Sequence, residues 1–302
     1  TSGDIIYVVP SGSVYNATNV NKSLTIFGAG FNPDKTNSAT SRCQNITISA
    51  DNVRISGLVA GPIVQITGTV SGTMIDKCRI NRISLLTNAG NTIIQNCVVG
   101  ESTSGQNSIY GFDLTNTGVR IVNNINYGTS AGGWLNYLNN ATIESNVFVG
   151  ISGFPASEAF NIVQNSNIKN NIFFGVEPQG SNTLNYLNNT QQYNLSYGAT
   201  DNSFITVTGG NTASDNIVGD PLFVNLPLAT ATVYYDLGFD AQLQAGSAAK
   251  GKGEGGIDIG AFGGPAPFDL HGTSLPVVQT VVAPSTVTQG TNMNVRVQGK
   301  GN

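Results

Sequence analysis

Short apolar runs, alternating with polar positions and closed by Asn, Asn-Asn or Gly, recur through most of this chain. Three copies nearly superpose: WLNYLNNATIESNVFVG over 134–150, AFNIVQNSNIKNNIFFG over 159–175 and TLNYLNNTQQYNLSYG over 183–198. Looser copies precede them at 45–61, 63–81, 83–100 and 111–128. A unit of roughly two dozen residues repeated in this way is one supersecondary element that buries its apolar face only against its neighbours. The runs are too short for helices, alternate at period two and are bounded by turn residues, so the pattern predicts strands. Helical and leucine-rich solenoids are thereby excluded. The expected architecture is all-β: a single-stranded right-handed parallel β-helix (a solenoid) over 1–264, including an N-terminal lead-in and closing coils. Residues 265–302, with Pro breaks and short alternating runs, are expected to form a short C-terminal β extension or the start of a further β module.

Stacking the copies gives columns. An Asn-type position falls at Gly57, Lys77, Asn96, Asn124, Asn146, Asn171 and Asn194, where a tight turn needs left-handed backbone angles and amides can bond to the coils above and below. Cys78, Cys97, Ile125, Val147, Ile172 and Leu195 form one expected inward row, and Ile80, Val99, Tyr127, Val149, Phe174 and Tyr197 another. A wholly polar outward column is expected at Asn45, Gln65, Ser84, Asp113, Asn136, Asn161 and Asn185. Loops of variable length bring Glu101, Tyr110, Trp134, Phe154, Glu158 and Glu177 to its edge, and variable loops beside a rigid sheet are where function concentrates.

Composition narrows the function. Charged residues are 10% of the 302, against about a quarter in ordinary domains, and the net charge is −4. That surface is neutral and hydrogen-bonding, which argues against a nucleic-acid partner. No apolar run is long enough to span a membrane. Cys43, Cys78 and Cys97 are odd in number, and Cys78 and Cys97, one coil apart, read as buried thiols rather than a disulfide.

The closing segments DNIVGDPLFVN (215–225) and YYDLGFDAQLQAGSAAKGKGEGGIDIGAFGG (234–264) resemble the end of secreted bacterial right-handed β-helix proteins of the pectate-lyase-like superfamily. With the repeats, the resemblance covers about residues 23–264. It implies a secreted or cell-surface protein acting on carbohydrate, in a group that holds lyases, hydrolases and non-catalytic relatives alike.

A groove of amides and hydroxyls with a few aromatics suits a polysaccharide, because sugar hydroxyls need paired donors and acceptors and pyranose faces stack on aromatic rings. The expected substrate-binding residues are Asp113, Trp134, Asn136, Asn161 and Asn185. Elimination from a uronic acid needs a base and a neutralising cation, and Lys77, Arg79 and Arg82 on one early turn are the candidates to hold the anionic sugar. Calcium is expected only if the protein is a lyase, and no other cofactor is evident. Hydrolysis by paired carboxylates would fall to Asp113 and Glu158. Lys169 and Glu144 share a column and read as an ion pair, and His271, the only histidine, as a surface residue. A polysaccharide lyase and a non-catalytic carbohydrate-binding or structural surface protein both remain open, as a monomer.

Overall fold

The computed structural model describes residues 2–31, 40–86, 88–100, 108–128, 135–154, 156–179, 186–204, 209–230, 235–264, 266–269, 277–284, 286, 288–290 and 292–300. Three parallel sheets run the length of the repeats. The first has ten strands, from Ile5–Tyr7 to Thr212–Ser214. The second has nine, from Arg42–Cys43 to Ile217–Val218. The third has six, from Thr18–Val20 to Leu135–Asn136, and a three-stranded sheet beginning with Leu138–Asn139 follows beside it. Every strand of these sheets pairs with its equivalent one coil on, so the fold is the parallel β-helix expected from the repeats.

The period-two alternation sets the interior. Ile26, Ile55, Ile75, Ile94, Ile121, Ile143 and Ile168 occupy one register position of the first sheet and are buried. Facing them from the second sheet are Ile80, Val99, Phe148 and Phe173, the last two stacked at 5.2 Å. This column also holds Asn126, fully buried between Val99 and Phe148 in register, with neither amide atom bonded.

Asn124, Asn146, Asn171 and Asn194 form a buried column at the corner between the first and second sheets, continued by the half-buried Asn216. Each Nδ2 donates to the next Oδ1 at 2.9–3.0 Å and also to a main-chain carbonyl. Each Oδ1 also accepts the previous rung's backbone N–H at 2.9 Å. Asn124, Asn146, Asn171 and Asn194 stand where expected, and the register moves the earlier members by one residue. Cys97, not Asn96, precedes Asn124, and its N–H donates to Asn124 Oδ1 at 2.9 Å. Cys78 lies one coil further back, and both thiols are free and buried. The left-handed backbone belongs to the residue before each rung: Lys77, Asn96, Asn123, Ser145, Asn170, Tyr193 and Asp215 all have φ between 51° and 57°.

A second correction concerns the second sheet. Val98, Ile125, Val147, Ile172 and Leu195 point outward, as do Tyr127, Val149 and Phe174, yet they are buried or half-buried. They are covered by the chain after Val218, which adds no further coils but returns along the outer face of this sheet toward the N-terminal end. Ala229 pairs with Ile151, Tyr235 packs edge-on to Tyr127 at 5.6 Å, and Phe268 reaches Phe31 at 6.5 Å. The DIGAFGG segment is seated by Asn123, whose Nδ2 donates to Ala261 O and Gly263 O at 2.9 and 3.0 Å. A sheet buried on both faces reads as continuous apolar sequence, which is what NVFVG and NIFFG are. Val277–Val282 and Arg296–Lys300 form a separate antiparallel pair, in the segment expected to be a C-terminal β extension or the start of a further β module.

Candidate functional site

The apolar roof formed by the returning chain covers the second sheet and leaves the outer faces of the first and third sheets outside it. The inward residues of the third sheet, Ile46, Ile48, Val64, Ile66, Ile83 and Leu85, belong to the core, so the residues between them face out. In register these outward residues are Asn19, Thr47, Gln65, Ser84, Tyr110 and Asn136, with Asn161 following through the Leu135–Phe160 bridge. Gln65, Ser84, Asn136 and Asn161 stand where the sequence places them. Asn45 is replaced in the column by Thr47 and Asp113 by Tyr110.

Asp113 departs because Gly111 ends the strand and an extra turn follows. The Asp113 carboxylate accepts from the Thr115 N–H at 3.0 Å and from the Thr115 hydroxyl, and the Asn116 amide closes the turn on Asp113 O. An alignment anchored on Asn124 and carried backward across this turn slips by the length of the turn. Trp134 and Asn185 lie outside the described residues, as do Glu101 and His271.

The three basic candidates do not converge. Lys77 lies at the corner between the first and second sheets, and its Nζ is 2.9 Å from Asp269 Oδ2. Arg79 is in the second sheet and donates from Nη2 to Tyr235 O at 2.9 Å. Both therefore fasten the returning chain. Arg82 alone belongs to the face of the third sheet: it immediately precedes Ile83–Leu85, and its guanidinium lies over the Tyr110 ring, 5.0 Å from the centroid. Tyr137 meets Tyr110 edge-to-face at 5.8 Å. Gly111 permits this approach, because a Cβ there would collide with Tyr137 O. All three side chains are half-buried, with one coil separating Arg82 from Tyr110 and another separating Tyr110 from Tyr137. The result is a cation and two rings on an otherwise amide and hydroxyl column.

Glu158 finds a different partner from the expected Asp113. It pairs in register with Glu177 on the next coil, and Asp201 donates its N–H to Glu177 Oε1 at 3.3 Å. Burial raises the Glu177 carboxyl above the ordinary carboxylate range; the charges of Asp201 and Glu158 add to the rise and the Asp201 N–H opposes it. Gln179 Nε2 in turn holds Asp201 Oδ2 at 3.1 Å. Among the described residues, no group of three or more His, Cys, Asp or Glu is arranged to hold a metal ion, so the calcium a lyase would use has no assigned ligands here. Lys169 lies 3.6 Å from Glu144, as its column implies, and 2.6 Å from Glu254 of the returning chain.

The Arg82, Tyr110 and Tyr137 group was missed as a unit because it joins an alignment error to a corner residue. The signal available was the length of 111–119, longer than the matching segment of its neighbours.

No family model matches this chain, and no curated protein matches it. Among solved structures it is similar to the crystal structure of pectate lyase Pel9A, at 14% identity with a TM-score of 0.48, covering 87% of this chain and 96% of that one. It is also similar to trypsin-treated QnrB1, a plasmid-mediated fluoroquinolone resistance protein, at 8% identity and a TM-score of 0.30, covering 70% of this chain and 92% of that one. The strand pairing itself establishes the fold. No helix among the described residues is long and apolar enough to cross a membrane.

Proposed function

We propose that this protein binds a polysaccharide across the outer face of its third sheet, centred on Tyr110, Tyr137 and Arg82. The observation that carries the reading is the packing of Arg82 and Tyr137 against the Tyr110 ring, on a column otherwise built of Gln65, Ser84, Asn136 and Asn161. A pyranose face stacks on a tyrosine ring, and the half-buried amides of Gln65 and Asn161 supply both donors and acceptors to sugars beside it, while Ser84 and Asn136 are buried. Arg82 offers a planar donor fork to a sugar carboxylate. Binding without cleavage accounts for these features; in the elimination reading Arg82 is the one basic candidate on the face. Action outside the cell or at its surface agrees with the neutral polar composition and the closing motif.

The test is affinity electrophoresis through gels containing pectic, alginate and glycosaminoglycan polymers, run beside an assay for the ultraviolet absorbance of unsaturated uronate ends. Retardation by one polymer is expected. Tyr110→Ala should weaken it about tenfold, the worth of one stacked ring. Unretarded migration in every gel would overturn the reading, and rising absorbance would convert it into a lyase with Arg82 at the reacting centre.

A further inference from the structure

We propose that Phe112 is the principal sugar-stacking ring of this protein, and that the bound polysaccharide crosses the third sheet along its strands, from Arg82 over Tyr110 to Phe112, instead of running down the column of coils. The proposal rests on the reading that Tyr110 marks a sugar site. In the strand Ile109–Gly111 the two end residues are buried inward, so Tyr110 and, two residues on, Phe112 face out. Phe112 continues the ladder, its N–H donating to Leu85 O at 2.9 Å. Two residues of extended chain set positions 110 and 112 about 7 Å apart.

Accessibility decides between the two directions. Down the column, the register neighbours of Tyr110 are Ser84 and Asn136, only 3% and 5% exposed, so neither adjacent coil offers a sugar an open side chain. Along the strand the next outward residue is Phe112, and it is 59% exposed. Tyr110 itself is half-buried, with Arg82 over its ring and Tyr137 against its edge, so Phe112 presents the wider free face. Arg82 immediately precedes Ile83, the register partner of Ile109, and so reaches Tyr110 from the other end of the strand. A cation, a half-buried ring and an exposed ring therefore follow one another across the face. That order suits an acidic polysaccharide with a carboxylate in the guanidinium fork and its next units on the rings.

The ring is carried on a braced turn. On the preceding coil, the Asn88 and Ala89 N–H groups donate to Thr115 Oγ1 and Asn116 Oδ1 at 3.0 and 2.8 Å, and Asn116 Nδ2 donates to Leu85 O at 3.2 Å. On the following coil, Asn139 Nδ2 donates to Leu114 O at 3.4 Å. A backbone fixed from both sides has little ordering left to lose when a ligand arrives, which is how an exposed ring becomes an efficient platform.

Affinity electrophoresis tests this in whichever pectic, alginate or glycosaminoglycan gel retards the unsubstituted protein, with thermal melting of each variant as the check on folding. Phe112→Ala should weaken retardation about tenfold, the worth of one stacked ring, and Phe112→Trp should preserve it. The double variant Gln65→Ala, Asn161→Ala should lose less than Phe112→Ala. Free fragments of two or three units of the same polymer should release the protein at concentrations at least tenfold below those the single sugar needs, because they fill both rings. Undiminished retardation of Phe112→Ala, with Tyr110→Ala weakened, would overturn this proposal and leave the sugar site at Tyr110 standing. A loss concentrated in the double variant would also overturn it, by laying the chain down the column. Tyr110→Ala and Phe112→Ala both retarded like the parent would overturn the site and its orientation together.

Discussion

Asn171 shows how much one side chain can carry in a repeat. Its Oδ1 accepts from the Asn146 backbone and amide, and its Nδ2 donates to Ile143 O and to Asn194 Oδ1, so four bonds span three coils. Asn171→Leu leaves two buried donors and two buried acceptors short of a partner, and urea denaturation should report a loss of about 2–3 kcal/mol. Asn126, with the same chemistry one sheet position away, has no bond to lose. Asn126→Leu should therefore leave stability unchanged or raise it by about 1 kcal/mol in the same series. Equal losses at both positions would contradict the distinction. Glu177 adds a pH dependence. Its carboxyl holds its proton to higher pH folded than unfolded, so its favourable contribution is complete below the pKa of a free glutamate and is lost as pH rises through the raised folded value. Glu177→Gln should accordingly raise the melting temperature at neutral pH and change it little at about pH 4. The opposite pattern would show that Glu177 is stabilised as a carboxylate.

At the scale of elements, each coil is held to the next by close backbone contact as much as by side chains. Gly150 sits where a Cβ would collide with Gly175 O on the following coil. Neither backbone can yield without parting the second sheet, so Gly150→Ala should cost about 1–3 kcal/mol, seen as a lower denaturation midpoint with an unchanged slope. The apolar runs, the Asn-Asn pairs and the closing glycines made the strands and their stacking legible in the sequence. Register was less legible, because the pattern marks a two-residue corner, such as Asn96-Cys97 or Ser145-Asn146, in which the first residue takes the left-handed backbone and the second points inward. Reading the first Asn as the rung shifts each neighbouring position to the opposite face, since side chains alternate at period two. That slip is why Cys78 and Cys97 shared an expected row with Ile125.

The molecule as a whole is a solenoid with its second sheet roofed by its own chain and its first and third sheets outside that roof. The roof is fixed by apolar contact along its length and by ion pairs at its edges, Lys77 with Asp269 and Lys169 with Glu254. Such partly exposed pairs contribute about 0–1 kcal/mol each, so the apolar anchors decide. Phe268, buried against Phe31 and Phe262, is the anchor nearest the N-terminal end. Phe268→Ala should cost about 3–5 kcal/mol and should speed hydrogen exchange in the second sheet near Arg79 and Val98 while sparing the first sheet. Uniform acceleration over both sheets would mean that roof and solenoid unfold as one unit.

The sequence by itself determined the repeat, the all-β parallel coil, the Asn column from Asn124 to Asn194 and the buried thiols, because each follows from spacing and side-chain type within one unit. Gln65, Ser84, Asn136 and Asn161 of the outward column were legible for the same reason. Only the tertiary structure decided which outward face is roofed, because that depends on where the chain after Val218 packs, a contact across more than a hundred residues of sequence in the case of Arg79 with Tyr235. It likewise separated Lys77 and Arg79 from Arg82. Three basic residues close in sequence lie on different faces when the chain turns a corner between each, and corners are set by backbone geometry that no count of charges reveals.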